Sequence, residues 1–438
     1  MQTAPSQMPR KNVPSRRRAK RSSVVRWLKV VALLIVASWV FFGVHAFWFN
    51  RTTANVDTLP VPSDPLAVPS VKLESKPDSK PGEGPWGRLQ CRAITISPMP
   101  ESMPETLSAG GRGPVWHFPG FNATQLEASF TEVGLPQSLR NTLLSMVDVD
   151  LASEGLIIRP TPEVVLGLSP ESRSALYVLL AECEDNSDQR LAFRFCGNSL
   201  DEWTRRSPLP QPIRALIEPL VYRHGDYLFF ADLRTIESQL PSEQDRLQVV
   251  KTLSRQRTYR VELMLTPTSN LDKLVAYWGR GGRANVVAPI LESAMEIDGE
   301  GHVDITYLLP SYARRKIYTY PVASEFNATQ VPDCHWTALN FFNDEPDDEI
   351  RDVAATRREL KENYYRIFSN LKLGDLVLYL NNRQTLVHSA VYIADDILFT
   401  KNGANLSQAW MLAKMAEMKD FYPRRGGLEV RYYRRKDL

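Results

Sequence analysis

Cysteine is scarce in this chain. Only 4 of 438 residues are cysteine, at Cys91, Cys183, Cys196 and Cys334, and no two stand in C-x-x-C spacing. So few thiols in so long a chain do not make a disulfide scaffold, although Cys183 and Cys196 would be able to bridge in an oxidising compartment or to pack as small hydrophobes. Histidine is also rare, with 6 residues and no H-E-x-x-H pair, so neither a metal nor a cofactor is expected. No internal repeat and no low-complexity tract stands out downstream of the first 90 residues. The run WGRGGR at 278–283 lacks the lysine and Ser/Thr of a phosphate loop and reads as a basic turn between two helices. A formal net charge of +3 hides a basic block confined to residues 10–29, beyond which the chain is slightly acidic, so nothing argues for a nucleic-acid partner.

What is present begins with residues 30–49, VVALLIVASWVFFGVHAFWF, a stretch without a charged residue. It meets the length of about 20 apolar residues that a membrane-spanning helix needs. Aromatic residues at both ends and the basic block before it predict a single-pass membrane anchor with residues 1–29 cytoplasmic and the body of the chain extracytoplasmic, periplasmic or extracellular. The competing reading is a cleaved signal peptide, with Val44-His45-Ala46 as a small-residue site. Residues 50–88 are rich in Pro, Ser, Lys and Asp without apolar periodicity and read as a solvated linker.

Residues 89–300 read as an α+β domain without a catalytic constellation. Ser169 and Pro170 open a helix that puts Ala175, Leu176, Leu179 and Leu180 on one face, and Ser199 with Glu202 forms a capping box. The runs DYLFFAD at 226–232 and TYRVELMLT at 258–266 read as strands.

The chemistry concentrates in residues 301–438. Asp333 is a good N-cap residue, which puts Cys334 in the first turn of an apolar helix, where the helix dipole and unpaired N–H groups favour thiolate and an oxyanion. Further on, GDLVLYLNNRQTLVHSAVYIADDILFTKNG predicts an antiparallel meander: a strand at 376–380, a polar turn at 381–383, a strand at 386–393 carrying His388, a tight turn at Asp395-Asp396, and a strand at 397–400. The acidic stretch 343–352 lacks EF-hand spacing and reads as a solvated helix exit, and VRYYRR at 430–435 as a final edge strand.

Asp333-Cys334 opening a helix, then Gly374-Asp375-Leu376-Val377, then His388 ahead of Val391-Tyr392-Ile393, resembles the NlpC family of papain-like cysteine peptidases and amidases over roughly residues 315–438. The resemblance implies a C-terminal papain-like domain of one helix on an antiparallel sheet, with Cys334 as nucleophile and His388 as base. It also implies a third polar residue that orients the imidazole, for which Thr400, Lys401 and Asn402 are the candidates and Asn402 the choice. Tyr320 and Trp336 are the expected substrate contacts, and a cell-wall peptide the expected substrate. His335-Trp336 and Ser389-Ala390 depart from the family pattern.

Three functions follow from this reading: an extracytoplasmic thiol hydrolase that cleaves an amide bond in cell-wall peptides through a Cys-His acyl-enzyme, a catalytically inactive papain-like fold acting as an envelope binding or assembly module, or an acyltransferase or lipid-directed hydrolase.

Overall fold

The computed structural model describes residues 59–60, 83–99, 113–150, 154–322, 331–351 and 353–438. The expected anchor at 30–49, the basic segment before it and most of the linker lie outside the described residues.

In chain order the elements that frame the site are strand β1 (Gly87–Ile96), helix α1 (Pro170–Leu180), strands β2 (Phe193–Cys196), β3 (Tyr227–Phe230) and β4 (Gln256–Leu265), and helices α2 (Leu271–Trp278) and α3 (Ala284–Met295). They continue with strand β5 (Gly301–Asp304), helix α4 (Cys334–Leu339), strands β6 (Tyr364–Ile367), β7 (Leu376–Leu380), β8 (Thr385–Ala394), β9 (Ile397–Lys401) and β10 (Trp410–Lys414), helix α5 (Glu417–Phe421) and strand β11 (Glu429–Arg435).

The architecture is α+β, and the membrane-crossing helix included in the expected fold class is corrected. Among the described residues no helix is long and apolar enough to cross a membrane. The longest, α3, has 12 residues and a proline at 289. At 1.5 Å per residue such a helix reaches about 18 Å, against about 30 Å of hydrocarbon.

The largest sheet runs β6-β11-β7-β8-β9-β10, and the two-residue strand Leu59–Pro60 pairs with the start of β8. All its pairings are antiparallel. Strands β7, β8 and β9 fall where the apolar runs and turn residues put them, but β11 does not. It inserts between β6 and β7, so VRYYRR is an interior strand and β6 takes the edge. In that place Arg434 of β11 donates at 2.7 Å to Asp375, which is buried at the foot of β7. A one-sided sheet edge offers no such partner.

Strands β7 and β9 are buried at every position and β8 at all but its first, because both faces of the sheet are covered. One face carries α4. The other carries α5 and the side chains of β2 and β3, with Phe421 against Tyr227 at 5.3 Å between ring centroids. The β10 edge is closed by the segment before α4, where Tyr318 N–H donates to Trp410 O and Trp410 N–H to Thr319 O, and by β4, whose Thr258 hydroxyl donates to Leu412 O and accepts from Leu412 N–H. Residues 89–300 and 301–438 therefore share one hydrophobic core and lie in a single compact unit.

Several local expectations reappear. Ser169 caps α1 by accepting from Ser172 N–H, and the basic glycine run is the turn between α2 and α3. The capping box at Ser199 is only half formed: Ser199 accepts from Glu202 N–H, whereas the Glu202 carboxylate accepts from Asn198 N–H instead of Ser199.

Candidate functional site

Helix α4 begins where the sequence puts it. Asp333 is its N-cap, and a carboxylate oxygen accepts from Trp336 N–H at 2.7 Å. The helix closes after six residues, at Leu339, although apolar residues continue to Phe342. All six of its side chains are buried.

Which way α4 faces is read from its contacts. His335 Nδ1 lies 2.8 Å from Ser389 Oγ, the Thr337 hydroxyl accepts from Trp410 Nε1–H at 3.1 Å, and Phe341 meets Phe399. Ser389, Phe399 and Trp410 thus mark the helix-facing side of the sheet. Lys401 shares that side, its ammonium 5.7 Å from the Trp410 ring and donating to Gly403 O at 2.6 Å and Asn405 O at 3.1 Å.

His388 precedes Ser389 in the same strand. Side chains alternate along a strand, so the His388 ring projects from the opposite face. Its contacts agree. The ring stacks on Tyr422 at 4.6 Å, and Nε2 lies 2.9 Å from Thr400 Oγ1, one residue from Lys401 and on the other side of β9. The sheet lies between the His388 imidazole and helix α4. The structure brings His388, Thr400 and Asn402 together and leaves Cys334 on the far side.

Among the three candidates for the orienting residue, Thr400 makes the direct contact. Its hydroxyl donates to Asn402 Oδ1 at 3.3 Å, so its oxygen accepts from the imidazole, and His388 carries its proton on Nε2. Asn402 is linked to the ring only through Thr400. His388 Nδ1 is then a bare lone pair, buried without a hydrogen-bond partner among the described residues. Burial pushes the imidazole well below its ordinary value, and the neighbouring His335 and Arg194 push in the same direction. This is a neutral histidine set in a core.

The expected substrate contacts are structural. Tyr320 is buried and its hydroxyl donates to Ser254 O at 2.8 Å, tying the chain before α4 to the start of β4. The same burial holds its phenol far above the usual range. Trp336 is 2% exposed, donates from Nε1 to Asp347 O at 3.0 Å, and is covered by Tyr312 on one side and Arg351 on another. Neither ring has an open face for a ligand.

All four cysteines are unbridged, so Cys183 and Cys196 form no disulfide. Cys196 instead lies 3.8 Å from a Glu417 oxygen, and burial pushes its thiol up to about 12. Among the described residues no three His, Cys, Asp or Glu side chains converge as a metal site requires.

The Gly374-Asp375 pair, part of the family-like pattern, has a structural task. Gly374 sits at φ +89°, where a Cβ would collide with the Phe342 ring, so glycine is required for the turn and for close packing of the segment after α4. Asp375 accepts from Arg434 at 2.7 and 2.9 Å, from Lys372 N–H at 2.7 Å, and lies 3.6 Å from Arg280 of the α2–α3 turn. It joins three parts of the chain through one buried carboxylate. Arg434 and Arg280 were not readable as its partners, because neither is near it in the chain.

Open concavities lie elsewhere. Two of about 370 Å³ are bordered by Leu271, Val275 and Ala288 between α2 and α3, and by Gly281, Gly282 and Arg435; neither includes Cys334 or His388. No protein-family model matches the chain, and neither a curated protein nor a solved structure does. The family resemblance therefore rests on the residues quoted above.

Proposed function

We propose that this chain is a binding and assembly module on a papain-like α+β core, without thiol turnover. One observation carries the reading: the imidazole expected to serve as base lies across the sheet from the helix that bears Cys334, stacked on Tyr422 and hydrogen-bonded to Thr400. A Cys-His nucleophile needs the two side chains within hydrogen-bond reach. Burial supports the same reading, since Cys334 is 1% exposed and His388 fully enclosed, and an acyl-enzyme route needs a carbonyl delivered to the thiol. The contacts of Tyr320 and Trp336 are those of packing, which leaves the expected substrate subsites filled by the protein itself.

The test is turnover by the full chain on a panel of peptide amides and acyl esters, beside a Cys334→Ala variant. The reading expects identical background rates in both. Hydrolysis or acyl transfer that is lost on removing the thiol would overturn it and restore a thiol enzyme.

A further inference from the structure

Strand β1 has 10 residues and is fully paired on one side only. On that side β4 covers it from Arg88 to Ile96 without a bulge. On the other, the two-residue strand Glu83–Gly84 pairs with Gly87 and Arg88 alone, and no other strand reaches this edge among the described residues. Gly84 and Gly87 flank the two-residue turn Pro85-Trp86, which makes them a hydrogen-bonded pair and turns the Gly87 backbone away from β4. Alternation then points the N–H and C=O groups of Cys91, Ala93 and Thr95 to the same open side. Sheet edges are commonly blunted by proline, bulges or charge. Residues 89–96 have neither proline nor bulge, and Arg92 is their one charged residue. Gln90, Cys91, Arg92, Ala93 and Thr95 are exposed. The open edge runs from Leu89, just past the reach of Glu83–Gly84, to Ser97, beyond which Pro98 has no N–H to give, and Ala93 is its midpoint.

From this we infer that β1 is a self-association edge whose partner is a second copy of this chain, joined antiparallel about a two-fold axis at Ala93. With Ala93 opposite Ala93 of the partner subunit, each donates its N–H to the other's carbonyl. Cys91 pairs in the same way with Thr95 of the partner subunit, so the open backbone groups of all three residues are satisfied. On one face Arg92 opposes Ile94 of the partner subunit and Gln90 opposes Ile96 of the partner subunit, so no like charges stand directly opposite. On the other face only Cys91, Ala93 and Thr95 meet, small side chains that let the strands close. A register with Cys91 against Cys91 would run the incoming strand into Glu83–Gly84. The inference rests on the assembly reading above and supplies its partner.

The experiment is sedimentation velocity of the full chain in non-ionic detergent, which masks the apolar run at 30–49, from micromolar to millimolar concentration. One strand pair is a small interface, so a dimer that dissociates on dilution is expected. Ala93→Pro removes no bond to β4, because that N–H points outward, and Ala93→Glu sets like charges opposite each other. Both are expected to sediment as monomers with unchanged near-UV circular dichroism. Ala93→Cys in a Cys91→Ser background is expected to give a dimer under oxidised glutathione, bridged at position 93 by peptide mass spectrometry, since Cα atoms of a hydrogen-bonded pair lie about 5.5 Å apart, within disulfide reach. The parent's two Cys91 residues, about 14 Å apart along the strands, should not bridge. A parent that stays monomeric, a dimer that survives both Ala93→Pro and Ala93→Glu, or bridging at Cys91 instead of position 93 would overturn the inference. Thiol turnover by Cys334 would defeat the assembly reading without altering these results, so the two failures are told apart.

Discussion

His335 Nδ1 meets Ser389 Oγ at 2.8 Å, and this contact sets which face of strand β8 helix α4 covers. Because Ser389 faces the helix, His388 faces away from it. A one-residue offset in the strand thus separates the hydroxyl that meets His335 of helix α4 from the imidazole that packs on Tyr422.

Removing the Ser389 hydroxyl tests the contact. Ser389→Ala leaves a buried imidazole without a partner on either nitrogen, since His335 Nε2 already has none among the described residues. The expected loss is about 1–3 kcal/mol of unfolding free energy, read from urea denaturation. A variant as stable as the parent contradicts the assignment of the helix face.

The depressed His388 value makes stability sensitive to acid. The unfolded imidazole takes a proton near its ordinary value of about 6.5, while the folded ring resists protonation until well below that. The unfolded state then binds more protons, so this contribution is intact above the unfolded value and is lost as pH falls toward the folded one, at up to about 1.4 kcal/mol per pH unit. His388→Gln should remove that slope between roughly pH 6.5 and 5. Denaturation midpoints of parent and variant across this window that run parallel would show His388 to be accessible to protons.

Asp375 is expected to be the costliest single position in the C-terminal sheet. Asp375→Ala strands Arg434 and Arg280 against buried surface and should destabilise by about 3–5 kcal/mol. Thermal unfolding that shifts by less than a degree or two would show that these arginines find water instead.

A second titration is built into the region before residue 300. Asp232 is buried beside Arg173, 3.4 Å away, and accepts from the Tyr177 hydroxyl at 2.6 Å. Desolvation outweighs both and pushes the carboxyl up to about 6. With the folded value above the unfolded one, the contribution is present at low pH and is lost as pH rises through about 6. The parent should gain relative to Asp232→Asn as pH falls from 7 to 4.5, and a difference that is flat with pH would refute it.

Much of this architecture was legible in the sequence. Asp333 as cap of α4 and Ser169 as cap of α1 are local signals, as is the meander of β7 to β9, because hydrogen bonds to the next turn and short apolar runs bounded by polar turn residues act over a few residues. The place of β11 was not legible, since it depends on pairing with β6 and β7, both distant from it in the chain. The facing of His388 was hidden for a related reason. Every position from Leu386 to Ala394 is buried, so polarity does not mark which side of β8 looks toward α4. The signal that was available is Ser389, a small polar residue in an apolar strand one position from the histidine, with His335 the only imidazole on the helix able to pair with it.

The most direct measurement is the rate of alkylation at Cys334 against pH in the full chain, mapped by peptide mass spectrometry beside His388→Ala. The account predicts slow labelling whose pH profile is the same in both proteins, because the imidazole is across the sheet from the thiol. Rapid labelling at acidic pH that disappears in His388→Ala, as a His-paired thiolate would show, would contradict it.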